Sequence, residues 1–201
     1  MAVVAAPTPG FPDTAISGPL FAAWLDTPLE RMLAVAHDGG LALLEYADRA
    51  TLDATLDRLR ARFDSIRETF TGHPHLATIK RELADYFAGR LTAFTVPVDP
   101  SGTPFERRAW AALGAIPFGQ TLSYGRHAAA MGSAAACRAV GRANGRNTIN
   151  IVIPCHRVVA ATGELTGYGG GLARKRWLLD HERRVAARGE GPVVDVVRRT
   201  A

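Results

Sequence analysis

A chain of 201 residues that is 47% hydrophobic and carries 24 Lys and Arg against 19 Asp and Glu can bury one sizeable core or two small ones. Its two cysteines, Cys137 and Cys155, exclude a disulfide scaffold and fit free thiols in a reducing cytosol. No apolar run reaches the roughly 18 residues of a membrane span, and the opening residues lack the basic and apolar regions of a secretory signal, so a cytoplasmic location is expected. The charge divides unevenly: residues 1–102 hold 9 Lys and Arg against 13 Asp and Glu, whereas residues 103–201 hold 15 against 6. A basic half joined to an acidic one points to a polyanion-binding module attached to something else, or more simply to an arginine-rich soluble surface.

Residues 1–24 read as a flexible N-terminal arm and residues 25–100 as a small α+β domain. Leu29 to Tyr46 form a predicted hairpin, because Asp38-Gly39-Gly40 separates two apolar segments. Leu52, Leu56, Leu59 and Phe63 fall at helical spacing, as do Leu76, Ile79, Leu83 and Phe87. Phe94 to Val98 alternates like a short edge strand in which Pro97 removes one ladder donor.

Asp99 to Gly102 is a candidate linker into a second domain over residues 101–185, followed by a tail at 186–201. Thr103-Pro104-Phe105-Glu106 carries three agreeing helix-start signals: a Thr cap, Pro at the first helical position, and Glu three residues after the cap. The helix so begun should end at Pro117 to Gly119. A second helix is expected from Tyr124 to Ala130, a turn at Met131-Gly132, and a third helix from Ala134 to Asn144 capped by Ser133. Helix, short glycine turn, helix is the helix-turn-helix pattern. The third helix is lined by tiny residues with Arg138 and Arg142 on one side, which suits either a tightly packed core helix or close approach to another surface. It offers few side chains able to read base edges.

Ile149 to Ile153 is a mostly β-branched run that predicts a buried strand, with Cys155 where the strand gives way to a loop. A free thiol with a pKa of about 8.5 needs a cationic or proton-accepting neighbour to become a nucleophile, and His156 and Arg157 stand beside it. Adjacent residues in extended chain point apart, so His156 should reach Cys155 through a bridging water. Glu182, on a final helix over Leu172 to Val185, can hold the other ring nitrogen; Asp180 or a backbone carbonyl would serve equally. Tyr168-Gly-Gly-Gly171 supplies a loop able to pass close to a ligand.

Pro154-Cys-His-Arg-Val158, Asn147, Ser123-Tyr124, Arg138-Ala-Val-Gly141 and the stretch from Gly170-Gly171-Leu172 to Glu182 together resemble the DNA alkyltransferases that repair O6-alkylguanine, the methylated-DNA-protein-cysteine methyltransferases. The resemblance runs in register from about Phe105 to Glu182 and is looser before that, resting on Thr27-Pro28-Leu29 and the Gly-Gly hairpin. It implies a small ribonuclease-H-like N-terminal domain followed by a mainly helical, winged-helix-like domain. Cys155 would accept the alkyl group, His156 would act as its water-mediated base, Glu182 would orient His156, and Asn147 would brace the turn. Tyr124 would press on the phosphate beside the lesion and donate to the flipped base, while Arg138 would fill the gap left in the stack. Cys155, Val158, Tyr168 and Gly169 would hold the base, and Ser123, Ala134 and Ala135 would lie against the minor groove. The implied partner is double-stranded DNA bearing O6-alkylguanine or O4-alkylthymine, bound by a monomer without sequence preference, with no metal and no cofactor. The protein would sit on the nucleoid when bound.

Three departures from the pattern stand out. Thr148 occupies a position where many members have Pro, Gly169 replaces larger residues and predicts a wider pocket, and Cys137 lies beside Arg138 where a small residue is common. A transcription regulator, a passive binder of damaged DNA and a thiol hydrolase are the competing classes. The first lacks base-reading side chains, the second lacks the acceptor cysteine that is present here, and the third would release an acyl group to water.

Overall fold

The structure, a computed structural model, describes residue 11 and residues 18–63, 65–68 and 72–189. Its first half is built on a four-stranded sheet of β1 (Pro19–Leu25), β2 (Met32–His37), β3 (Gly40–Tyr46) and β4 (Ser65–Glu68), in the order β3-β2-β1-β4. β2 runs antiparallel to β1 and to β3, whereas β4 pairs parallel to β1. Alternation along the strands explains why both faces are covered. Leu20, Ala22, Leu33, Val35 and Leu43 pack with Leu52, Leu59 and Phe63, placing α1 (Leu52–Arg62) on one face. Met32, Ala34, Ala36, Leu41 and Leu44 belong to the opposite face, with Leu76, Ile79, Leu83 and Tyr86 of α2 (Pro74–Phe87). A bulge between Val35 and Ala36 shifts the register with β3, so that the neighbours Ala42 and Leu43 share one face.

The second half contains α3 (Pro104–Leu113), α4 (Tyr124–Ala130), α5 (Cys137–Gly145) and α6 (Leu172–Arg188), with a two-stranded parallel pair of β5 (Leu122–Ser123) and β6 (Val158–Val159). Thr103 and Glu106 close the capping box expected of the sequence: the Thr103 hydroxyl accepts from the Glu106 amide at 3.3 Å, and the Glu106 carboxylate accepts from the Thr103 amide at 2.9 Å. Trp110 of α3, buried, donates through Nε1 to the carbonyl of Ala143 in α5 at 2.8 Å. His127 of α4 completes the three-helix unit, its Nε2 at 3.0 Å from the carbonyl of Ala109 and its Nδ1 at 3.4 Å from Nδ2 of Asn144. Burial lowers the His127 pKa, so the ring packs here as the neutral form.

The halves do not meet as separate beads. One apolar cluster holds Leu44 and Tyr86 from the first half together with Trp110, Ile149, Cys155, Val158 and Leu178 from the second. The outer edge of β3 is covered twice, by Pro97 to Asp99 bonded to Leu41 and by Thr148 to Asn150 bonded to Leu44. The region read as a linker is likewise packed: Asp99, buried, lies 3.2 Å from His37, 3.3 Å from Arg62 and 3.2 Å from Arg107, and a Cβ on Gly102 would meet the Trp110 ring at 2.5 Å. No helix of the described residues is long and apolar enough to cross a membrane.

Several sequence expectations require correction. The arm assigned to residues 1–24 runs into β1, which starts at Pro19; its positions 1–10 and 12–17 lie outside the described residues. The edge strand at Phe94 to Val98 reduces to a single bridge between Leu41 and Val98. The third helix opens as a 3-10 turn over Ala134–Ala136 before α5 begins at Cys137, and Ser133 makes no side-chain cap bond there. The tail from residue 186 begins inside α6, which continues to Arg188 and stops at the left-handed Gly189; residues 190–201 lie outside the described residues. The capping box gives a direct check: Thr103→Ala should lower the unfolding free energy by about 1 kcal/mol in a urea titration, with the slope of the transition unchanged.

Candidate active site

Ile149 to Ile153 is not a strand. One bridge joins Ile149 to Leu44, and beyond it the backbone winds into a turn in which Ile151 takes a φ of 71°. A β-branched residue in the left-handed region is strained, and here a neighbouring side chain imposes it. Asn147 accepts the Ile149 amide on Oδ1 at 3.0 Å and donates through Nδ2 to the Ile153 carbonyl at 2.9 Å, cross-bracing the turn from inside. The same Nδ2 lies 3.1 Å from Sγ of Cys155, which opens a short 3-10 turn over Cys155–Arg157. Cys155 is only 4% exposed. Burial pushes its thiol up to about 11 against the contrary pull of the Asn147 amide and the Arg49 charge, so the sulfur rests protonated at neutral pH and needs a base.

His156 is buried with its ring aimed at α6, and Nε2 lies 2.9 Å from Oε1 of Glu182. Burial alone would raise the Glu182 carboxyl, but His156 and the Arg157 guanidinium outweigh it and hold it well below the ordinary carboxylate range. An ionised Glu182 can only accept, so Nε2 carries the ring proton and Nδ1 keeps the lone pair. Burial also lowers the His156 pKa against the pull of Glu182, so the ring is neutral and can take a proton. Nδ1 is buried with no protein partner among the described residues, as a base working through water requires. Arg157 does not face the thiol as the sequence suggested. Its Nε and Nη2 donate to Glu182 at 2.9 and 3.0 Å, and its Nη1 donates to the Ile116 carbonyl at 2.7 Å. Tyr86 and the Gly119 amide also donate to Glu182, at 2.9 and 3.0 Å.

The loop before α6 closes the other side. Tyr168 stands with its hydroxyl 3.3 Å from that of Tyr46, while Tyr124 donates to the carbonyls of Thr166 and Gly167 at 3.3 and 3.1 Å. Lys175, fully buried, donates to Val158 and Thr166 at 2.6 Å each, fastening this loop to β6. Burial pushes the Lys175 ammonium down to about 8, with the Cys155 charge acting against it. Charge on Cys155 also acts on Tyr46, Tyr124 and Tyr168, which gathers all of these around the sulfur. Gly169 does not open a wider pocket on its missing Cβ: that space holds the Arg49 guanidinium, whose carbon would lie 2.7 Å from an added Cβ.

Asn147, Cys155, His156, Glu182, Tyr124, Val158, Tyr168 and Gly169 therefore share one region. Ser123 caps α4 by accepting the Arg126 amide at 3.2 Å. Ala134 falls in the 3-10 turn, and Ala135 and Arg138 are exposed at the entry of α5, outside the hydrogen-bonded group around the thiol. Among the described residues no group of three or more His, Cys, Asp or Glu is placed to hold a metal ion. Tyr46, Arg49, Tyr86 and Lys175 were missed from the sequence. For Lys175 a signal existed: it shares the buried face of α6 with Leu178, Leu179, Glu182 and Val185, where a lysine has no place without a partner.

The fold and the site define a class before any particular family. The chain matches the family described as the DNA-binding domain of 6-O-methylguanine DNA methyltransferase over residues 104–184. It is 47% identical over 148 residues to the methylated-DNA–protein-cysteine methyltransferase of Mycolicibacterium paratuberculosis, covering 73% of this chain and 90% of that protein. Against the protein of the same name from Salmonella typhimurium the identity is 57% over 102 residues, 50% of this chain and 60% of that one. The crystal structure of Mycobacterium tuberculosis O6-methylguanine methyltransferase superposes with a TM-score of 0.69 at 38% identity, covering 82% of this chain and 93% of that one. A structure of Mycobacterium tuberculosis OGT in complex with DNA gives the same TM-score and identity, covering 83% and 94%. The chain belongs to the methylated-DNA–protein-cysteine methyltransferase family of transferases.

The Glu182 cluster has a measurable pH signature. Its carboxyl lies below the ordinary value of 4.5, so its contribution to stability is complete above that pH and is lost on acidification towards the lowered value. Urea titrations between about pH 3 and pH 6 should show the unfolding free energy falling with acid in the wild type and falling less steeply in Glu182→Gln. That variant should also be less stable at neutral pH by about 3–5 kcal/mol, because Arg157 loses its buried counter-charge.

Proposed function

We propose that this protein repairs duplex DNA by transferring the alkyl group of O6-alkylguanine, and of O4-alkylthymine, irreversibly to Cys155. The observation that carries the reading is the sulfur of Cys155, buried and protonated, held at 3.1 Å by Asn147 beside a neutral His156 whose outer nitrogen is bound to Glu182. Such a thiol is shielded from solvent and suited to a substrate brought inside, such as a base extruded from the duplex.

In this mechanism the Cys155 proton passes through a water to Nδ1 of His156, and Glu182 balances the imidazolium that results. The thiolate attacks the alkyl carbon in line, the S–C bond forms as the C–O bond breaks, and the electron pair stays on the base oxygen. Tyr124 donates a hydrogen bond to the departing base, which takes up a proton from water as it leaves. The thioether product has no route back by thiol exchange, so each molecule acts once. No metal or cofactor enters the step.

The α4–α5 pair serves as the helix-turn-helix of a winged-helix-like unit, and the sheet of the first half is the ribonuclease-H-like domain of the family. The small residues around Ala134 and Ala135 let α5 enter the minor groove closely, Arg138 takes the place of the extruded base, and Ser123 and Tyr124 meet the backbone. Val158, Tyr168 and Gly169 hold the base within the site. The 15 Lys and Arg against 6 acids after residue 102 supply binding that is independent of sequence and weakened by salt. The protein acts as a monomer in the cytoplasm, on the nucleoid when bound to DNA.

Incubation with duplex carrying labelled O6-methylguanine should fix label on Cys155, located by peptide mass, with at most one equivalent per chain and none in Cys155→Ser. Label remaining on the DNA after binding would indicate a passive binder or regulator, and turnover of an acyl substrate would indicate a hydrolase. Arg138→Ala should slow repair in duplex by about tenfold or more while leaving transfer from free O6-benzylguanine almost unchanged, since only the duplex has a stack to fill. Equal losses in both assays would instead place Arg138 in the pocket.

A further inference from the structure

We infer that Arg49, contributed by the first half of the chain, is the positioning residue that fixes the acceptor sulfur for attack, and that position 169 is glycine because it seats the Arg49 guanidinium. This rests on the reading of Cys155 as the alkyl acceptor and assigns a task to the acidic half.

Arg49 lies three residues past the end of β3, and its side chain is only 11% exposed. Nη1 pairs with Glu45 and donates to the carbonyl of Asn147 at 3.2 Å, and Nη2 donates to the carbonyl of Gly145 at 2.6 Å. Glu45 in turn accepts from the Tyr46 amide at 3.0 Å and from Nδ2 of Asn150 at 2.7 Å. The Glu45–Arg49 pair thus grips the Gly145 to Asn150 segment at both ends and at the carbonyl of Asn147, whose side-chain amide touches Sγ. The planar fork of an arginine can bond two carbonyls and a carboxylate at once, which a lysine cannot reproduce.

The same guanidinium lies against the base-holding loop. An added Cβ at Gly169 would stand 2.7 Å from Nη2 and 2.8 Å from Nη1, so any larger residue there must displace Arg49. Gly170 beside it is packed by the Tyr46 ring, at 2.5 Å from an added Cβ. One side chain therefore ties the turn behind the sulfur to the loop in front of it. Its charge favours the thiolate, in surroundings that also hold Glu45, Lys175, Tyr46, Tyr124, Tyr168 and His156.

The full-length wild type is compared with Arg49→Met, Arg49→Lys, Gly169→Ser and the Arg49→Met/Gly169→Ser double variant. Two rates are followed by peptide mass at Cys155 from about pH 7 to pH 10: alkylation by iodoacetamide, which needs no alkyltransferase activity, and transfer from free O6-benzylguanine. In Arg49→Met both rates should fall about tenfold at neutral pH, with the rise against pH displaced by about one unit. Arg49→Lys should recover part of the displacement, because the charge remains while the fork is lost. Gly169→Ser should reproduce much of the loss, and adding it to Arg49→Met should cost nothing further, since the contact it disturbs is already gone. An undisplaced profile in folded Arg49→Met, or strictly additive losses in the double variant, overturns the assignment. Should Arg49→Met fail to fold, the profiles of Arg49→Lys and Gly169→Ser decide it in the same way. Wild-type protein that reacts with iodoacetamide but never with O6-benzylguanine would refute the functional reading alone.

Discussion

The site is organised around one carboxylate. Glu182 accepts five hydrogen bonds, from Tyr86 of α2, from Gly119 after α3, from His156, and twice from Arg157. A bare ion at this depth would cost several kcal/mol, and that cost is removed only because donors from three separate segments, Tyr86, Gly119 and the adjacent pair His156 and Arg157, converge on it. The arrangement therefore reports correct folding at the same atoms that set the tautomer of His156. An apolar residue of similar shape would leave Arg157 stranded and the imidazole free to turn.

A second constraint acts on the backbone. The left-handed Ile151 costs of order 1–3 kcal/mol, and it persists because Asn147 satisfies the amide of Ile149 and the carbonyl of Ile153 from within the turn. This strain carries the chain sharply past the sulfur and leaves Sγ against the Asn147 amide. Lys175 makes a matching investment on the opposite side, being buried at the cost of a depressed pKa to hold the Val158 and Thr166 carbonyls. The turn behind Cys155 and the loop before α6 are each held by buried polar groups that bond mainly to backbone.

Elements governed by local chemistry were legible in the sequence. The Thr103 capping box, the Asp38-Gly39 hairpin and the apolar spacing of α1, α2 and α6 each express a preference that tertiary packing reinforces. The Ile149 to Ile153 run failed because a β-branched stretch has strand propensity, yet one Asn side chain bonded to both ends of it outweighs that propensity. β1 was hidden by Pro19 and the weakly patterned pair Ala22 and Ala23, and β4 by its length of four residues. The resemblance singled out Cys155, His156, Asn147 and Glu182, which the fold brings together, whereas Arg49 and Tyr46 reach them across about a hundred residues, a distance over which no periodicity carries information.

The covered edge of β3 sets a timetable for synthesis. Leu44 finds its outer partners only when Thr148 and Asn150 have been made, because both bonds cross more than half the chain. At a ribosomal pace of about 5–20 residues per second, the sheet waits roughly 5–20 s with the Leu44 end of that outer edge unpaired. During the interval the nascent protein presents that β-edge to its neighbours, and the growth of the second half is what finally shields it.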